Sequence, residues 1–414
     1  MSNPIPEGWS LSKIGDFATE IKSKNSDLKP MPVLSVTKYK GFVLSLDYFK
    51  KQVFSRDTNT YKIVKKGQFA YATIHLDEGS LGLLDAVEEG QVSPMYTVFK
   101  TKGIDKTYLF NLLKSDDFMR LYPALGQGSI NRRASIPFKV LADVDFACPP
   151  LPEQEKIAAI LSTVDDVIEK TRAQIDKLKD LKTGMMQELL TKGIGHTEFK
   201  DSPVGRIPVG WDVKPCSQIC SKITDGEHLS PNYCDSEFPI LSAKDVREYG
   251  VDISGAKYVS KNDFEKMLKR CNPEYQDVLI VSRGATIGKT TLNISRVKFA
   301  LMGSVILLKP NEKCFGGFLA LYIALPSVQQ NMLQLSGSSA QQAIYLKDIK
   351  DMLTPVPPMD EQLKIATAID SIDRRIQASN KKYIELGLLK KALMQDLLTG
   401  KVRVNVDNKE SAVA

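Results

Sequence analysis

One segment of this chain occurs twice, and that repeat constrains the fold more than any other feature. Residues 149–193 and 357–401 align without a gap at an offset of 208, with 17 of 45 positions identical. So many matches in one register identify a single unit of about 207 residues used twice in a chain of 414. A second motif pair marks the start of each half. It reads Ile5-Pro6-Glu7-Gly8-Trp9 and Ile207-Pro208-Val209-Gly210-Trp211, and it contains both tryptophans of the chain.

The repeated segments read as long helices. Pro149-Pro150 and Pro357-Pro358 stop whatever precedes them, because a residue before proline avoids the α region. Seam positions then recur at heptad spacing: Ile157, Leu161, Val164, Ile168, Thr171, Ile175, Leu178, Lys182, Met185 and Leu189 in the first copy. In the second they are Ile365, Ile369, Ile372, Ile376, Ser379, Tyr383, Leu386, Lys390, Leu393 and Leu397. The two polar exceptions fall at matching places, Thr171 with Ser379 and Lys182 with Lys390. A seam sustained over four to five heptads predicts a coiled coil, and the natural partner of each helix is the other.

The intervening segments, 10–148 and 212–356, are β-rich and align poorly with each other. Strand-like runs include Pro32–Thr37, Tyr96–Phe99, Asp277–Ser282 and Ser304–Leu308. A helix-like stretch follows in each half, near Tyr108–Tyr122 and near Phe315–Leu335. The expected layout is α+β head, helix, α+β head, helix.

Composition excludes several classes. With 43% hydrophobic and 25% charged residues the chain is neither disordered nor collagen-like. No apolar run approaches 18 residues, and the N-terminus has neither a basic nor an apolar leader region. Six cysteines without a C-x-x-C pair fit a reduced interior, so a soluble cytoplasmic protein without a membrane role is expected. The formal charge of +7 divides into +4 on residues 1–152, +1 on 193–360, −1 on 153–192 and +3 on 361–401. That modest excess is compatible with nucleic acid but points to partners for tight binding.

The order of these motifs resembles the specificity subunit of type I restriction-modification systems. The likeness is carried by Pro149–Gln154 and Pro357–Gln362 before each helix, and by Leu-Leu-Thr with Gly and Lys after it. Gly-Trp near each head start, Asp277–Lys289 as DVLIVSRGATIGK, and the Gly128-Ser129 and Gly337-Ser338 loops add to it. Departures are small: Thr191–Gly193 reads Thr-Lys-Gly where Thr399–Lys401 reads Thr-Gly-Lys, and Asp360 replaces Pro152. The resemblance implies two target-recognition domains, residues 1–150 and 196–356. It also implies a central helical spacer at 151–195, a C-terminal one at 357–402 and a flexible tail at 403–414. The spacers would form an antiparallel coiled coil with pseudo-twofold symmetry. It further implies a non-catalytic subunit that reads double-stranded DNA as two half-sites, the helices acting as a ruler. Partners would be two modification subunits using S-adenosylmethionine to methylate adenine, and restriction subunits using ATP and Mg for translocation and cleavage. No cofactor is expected on this chain.

Candidate DNA contacts follow from residue chemistry, since Arg grips guanine and Asn or Gln reads adenine. They are Lys38, Tyr39 and Lys40 after the first strand, Lys244 and Arg247 after its counterpart, Arg283 and Lys289 in the Gly-rich loop, Asn131, Arg132 and Arg133, and Gln341 and Gln342. The stretch Ser282–Thr290 mimics a phosphate-binding loop, but only three residues separate Gly284 from Gly288 where that motif needs four. Cys216, Cys220, His228 and Cys234 match no zinc spacing, and His75 reads as a structural residue in a strand-like run. No methyltransferase Asp/Asn-Pro-Pro-Tyr/Phe motif, nucleoside-binding G-x-G-x-x-G loop or nuclease carboxylate pair is found. The alternatives are a protein–protein adaptor on a coiled-coil scaffold and a stand-alone DNA-modifying enzyme.

Overall fold

The computed structural model describes residues 5–126, 135–335 and 342–406. The chain forms two units. One comprises residues 1–172 with 381–414, the other 173–380. Each unit contains one head, half of the central helix Leu151–Lys192 and half of the C-terminal helix Met359–Leu398.

In the first unit the head is built on a four-stranded antiparallel sheet. Its spatial order is Ala18–Ile21, Tyr96–Thr101, Phe69–Ala72, Leu81–Leu83. Strands Ser10–Lys13 and Asp145–Cys148 pair antiparallel and close the head where the central helix begins. Between sheet and helix lies an aromatic core, with the rings of Phe69 and Phe99 stacked at 4.8 Å and Tyr71, Tyr108 and Tyr122 fully buried. Burying side chains of this size is worth roughly 1.5–3 kcal/mol each, so this core dominates the head's stability.

The second head has the same plan. Its sheet runs Cys220–Asp225, Val305–Pro310, Val278–Val281, Thr290–Leu292, and Asp212–Pro215 pairs with Leu353–Val356 at its base. Val278 and Ile280 face one apolar cluster while Leu279 and Val281 face another. A strand buried on both faces must be apolar at every position, which is why DVLIVS does not alternate. The heads differ outside this sheet. The second has a further four-stranded sheet, Tyr233–Cys234, Lys257–Val259, Phe238–Leu241, Ala300–Leu301, and a ten-residue helix Lys261–Arg270. The first has two-stranded pairs and a five-residue helix Ser45–Phe49. Sequence divergence therefore hides a shared base carrying unlike outer parts.

Some expectations are corrected. Each helix-like stretch is two helices. In the first head they are Lys106–Leu113 and Asp116–Leu125, broken where Ser115 caps the second by accepting from Phe118 N. In the second head they are Gly316–Ile323 and Pro326–Leu335, broken at Pro326. His75 lies in a turn after Phe69–Ala72, not in a strand, and its Nδ1 is 3.2 Å from Glu78 Oε1. Arg403, at the first position of the expected tail, donates to Glu153 Oε1 and Oε2 and to the carbonyl of Glu7.

Within each unit the two helix halves run antiparallel. In the first, Lys390 Nζ lies 2.6 Å from Asp165 Oδ1. In the second, Lys182 Nζ lies 2.6 Å from Asp373 Oδ1. The seam's lysine exceptions thus have equivalent carboxylate partners. The other exception, Thr171, is satisfied by donating to the carbonyl of Val167 at 2.7 Å. The seam departs from the expected register late in the first helix, where Leu190 is buried and the seam residue Leu189 only half-buried, as a helix of 3.6 residues per turn drifts about 20° per heptad. In the second helix Leu397 and Leu398 are both buried. The seam position Tyr383 is exposed, beside Ile384 and Leu388, which are 63% and 64% exposed.

Candidate nucleic-acid interface

The repeated motif residues anchor each head to its helix. Glu153 Oε2 accepts from the Trp9 indole at 3.0 Å, and Glu361 Oε2 accepts from Trp211 at 3.0 Å. The other oxygen of Glu153 takes Arg403, and that of Glu361 takes His196 Nε2 and the amide of Ile194. Gln154 accepts from Asp105 N and donates to Pro149 O, while Gln362 accepts from Phe315 N and donates to Pro357 O. These buried side chains are fully committed to holding the head on its helix. Contacts to a ligand must come from the opposite, divergent parts.

In the first head, Lys38-Tyr39-Lys40 form the turn between strands Leu34–Thr37 and Gly41–Leu44. Gly41 takes φ +60°, and Lys40 N donates to Thr37 Oγ1. Tyr39 is 86% exposed, with Lys38 Nζ 5.2 Å from its ring and Lys40 Nζ 5.6 Å from the ring of Tyr48. Cations beside exposed aromatic faces suit phosphate and base contact together. Sequence reading missed Lys114. Its ammonium donates to the carbonyl of Lys38 at 2.9 Å from below the turn. Burial, reinforced by Lys390, pushes its pKa down to about 8.

In the second head, Lys244 and Arg283 come together. Both line a cleft of about 510 Å³, with Glu227, His228, Tyr233 and Lys257 on the same walls. Lys244 follows Ser242, whose amide and hydroxyl both donate to the buried Asp245 carboxylate. Arg283 is fixed through its backbone bridge to Ala343. Arg247 is not part of the cleft. It is paired with Asp252 at 2.9 Å, and Ser254 and Arg247 together hold that carboxyl down at about 2. Lys289 also lies outside the cleft lining. The Gly-rich loop is no phosphate cradle: Ile287 and Lys289 donate their amides to Gly284 and Thr286 within the loop, and Gly288 donates to Val281 at the end of the preceding strand. Gln342 is exposed, whereas Asn131, Arg132, Arg133 and Gln341 lie outside the described residues, as do the Gly128-Ser129 and Gly337-Ser338 loops.

Two of the thiols considered as zinc ligands are buried in an apolar setting. Cys216 and Cys220 pack in an apolar cluster with Cys314, and burial pushes the Cys216 thiol up to about 11. His228 instead meets Asp225 at 2.8 Å, a carboxylate shared with Arg270.

The sequence profile described as the type I restriction modification DNA specificity domain matches residues 6–180 and 208–387. The MjaX type I restriction enzyme specificity subunit of Methanocaldococcus jannaschii is 28% identical, over 97% of this chain and 95% of its own length. The MjaVIII specificity subunit of the same organism is 26% identical over 97% and 94%. The crystal structure of a type I restriction-modification S subunit from M. genitalium superposes with a TM-score of 0.59 at 16% identity, covering 96% of this chain and 97% of that one. Two matched domains, two long helices and the paired anchors agree on one conclusion: the chain belongs to the type I restriction-modification DNA specificity family, as a non-catalytic subunit for DNA sequence recognition.

Proposed function

We propose that each head reads one half of a bipartite duplex target, and that the paired helices set the number of unread base pairs between the halves. The observation that carries this reading is the combination of identical anchors with unlike tips. Glu153 with Trp9 and Glu361 with Trp211 hold the two heads in the same way on equivalent helices. The reading surfaces differ, a basic-aromatic turn at Lys38–Lys40 and a mixed-charge cleft at Lys244 and Arg283. Half-sites of different sequence on one scaffold follow from that combination.

The modest charge of the heads argues that further subunits contribute phosphate contacts. Ile384, Leu388 and Leu389 leave an exposed apolar stripe on the C-terminal helix, a surface suited to a helical partner. Two modification subunits bound to the helices, carrying S-adenosylmethionine, with restriction subunits carrying ATP and Mg, complete the proposed assembly in the cytoplasm. Mapping methylated adenines in the genome of the host tests the central point. A split motif with a fixed unread gap is expected, and a continuous motif would overturn the two-headed reading. Inserting one heptad into each helix should lengthen the gap and leave both half-sites unchanged.

A further inference from the structure

The cleft in the second head contains a carboxylate that phosphate binding does not explain. Glu227 lines it together with Lys244, Lys257 and Arg283. None of these cations makes an ion pair with Glu227 among the described residues. The position of Glu227 is fixed: its amide donates to Leu301 O at 2.8 Å and its carbonyl accepts from Gly303 N at 2.7 Å. One carboxylate oxygen, Oε1, accepts from the amides of His228 and Leu229 at 2.8 and 3.0 Å. Oε2 has no protein partner among the described residues. The guanidinium of Arg283 likewise has none there, and the residue is exposed. Lys257 rests on the Tyr233 ring at 4.2 Å, and Lys244 reaches the carbonyl of Gly255 at 3.5 Å.

A carboxylate held rigidly in a DNA-binding cleft repels phosphate. It attracts an amino group on a base edge, and the major-groove edge of cytosine offers one at N4. The guanine paired with that cytosine presents O6 and N7, which an arginine grips bidentately. One base pair therefore accounts for both groups.

We propose that this cleft reads a G·C pair in the second half-site, Arg283 donating to guanine and Glu227 Oε2 accepting from cytosine, with Lys244 and Lys257 placed for the flanking phosphates. The proposal rests on the DNA-reading function above and names residues and a base pair for it.

The test uses the full chain assembled with its own modification subunits and a pool of duplexes randomised through both half-sites, sequenced after methylation. Glu227→Gln keeps the shape. Its amide oxygen retains the His228 and Leu229 amides, so its NH₂ group takes the place of Oε2 as a donor. Preference for cytosine at one position should fall roughly tenfold to a hundredfold, shifting toward thymine, whose O4 accepts. Arg283→Ala should relax the same base pair, and the first half-site should be untouched by either change. Relaxation at two different pairs, a uniform loss across all sequences, or no change would each overturn the assignment. Unfolding of the variants in urea, followed at Trp211, separates loss of reading from loss of fold, and Glu227→Ala serves as a second variant held to the same criteria. If the unsubstituted assembly shows no sequence preference at all, the DNA-reading function itself fails, a result distinct from these.

Discussion

Replacing Lys182 by methionine should destabilise the second unit far more than the equivalent change at Lys390 destabilises the first. The two ion pairs have the same closest N–O distance, 2.6 Å in each case, but different exposure. Lys182 and Asp373 are 17% and 13% exposed at the side chain, while Lys390 and Asp165 are 25% and 47% exposed. Removing one partner of a buried pair costs about 3–5 kcal/mol, because the other charge is left without compensation. With the residual exposure here, about 2–3 kcal/mol is expected for Lys182→Met. An exposed pair contributes about 0–1 kcal/mol, which sets the expectation for Lys390→Met. Asp373→Leu should cost only about 1 kcal/mol, since Lys182 retains Glu248 at 3.6 Å and the face of Tyr249 at 5.2 Å. The double variant Lys182→Met, Asp373→Leu should return to within about 1 kcal/mol of the parent, a coupling of roughly 3 kcal/mol. Burial already raises the Asp373 carboxyl above its ordinary range. A folded pKa raised above the unfolded one gives stability that is present at low pH and lost as pH rises through the folded value. The Lys182→Met deficit should accordingly shrink as the pH is lowered and Asp373 takes up a proton. The two tryptophans, one in each unit, allow the assay: 5-fluorotryptophan labelling and urea titration by fluorine NMR follow the units separately. A Lys390→Met deficit as large as that of Lys182→Met would refute the reasoning from burial.

Three further outcomes are expected. Glu361→Ala strands the Trp211 indole and the Ile194 amide and should cost the second unit about 2–4 kcal/mol, read from the same urea titration, with the first unit unaffected. Lys114→Met should remove a pH-dependent strain: the wild-type lysine, depressed to about 8, penalises the folded first unit below that pH, and the penalty fades as pH rises toward 10.5. The stability difference between Lys114→Met and the parent, measured by urea unfolding, should therefore shift in the parent's favour between pH 7 and pH 10. Lys40→Ala should lower the slope of log affinity against log salt by about 1 in DNA-binding titrations of the assembled enzyme, whereas Tyr39→Ala should weaken binding without changing the slope.

The helices were legible because their signal is local and repeated. Lys182 and Lys390 stood out as shared exceptions in the seam, and their partners Asp165 and Asp373 are also identical across the two copies. That identity was available in the sequence, but nothing local says that a lysine in one copy meets an aspartate in the other. Glu153 and Gln154 were visible as a motif without a role, since Trp9 lies 144 residues from Glu153. The common sheet order of the heads was hidden because a pairing pattern can be kept by any apolar residues of suitable size. His75 read as strand because Thr73-Ile74-His75-Leu76 carries strand-forming residues, yet the tight approach of Gly79 and Ser80 turns that segment back. Glu227, Lys257 and Tyr233 escaped notice because the cleft draws residues from separate segments, a juxtaposition that only the fold creates.

The division between committed and uncommitted polar groups explains how one scaffold supports two readers. At the base of each head, the glutamate and glutamine of the repeated motif have their hydrogen bonds filled by the indole, by backbone amides and by backbone carbonyls. A change there leaves a buried donor or acceptor unpaired, which costs about 1–3 kcal/mol per group. At the tips, Tyr39, Lys40, Lys257 and Arg283 are exposed and make few side-chain contacts, Tyr39 lying beside Lys38, Lys40 beside Tyr48 and Lys257 beside Tyr233. Substitutions at such positions usually stay within about 0.5 kcal/mol in stability. The tips can therefore diverge in chemistry, as the turn of one head and the cleft of the other have, while the anchors cannot. Uneven tolerance of this kind keeps the motifs alike between two halves whose heads no longer align.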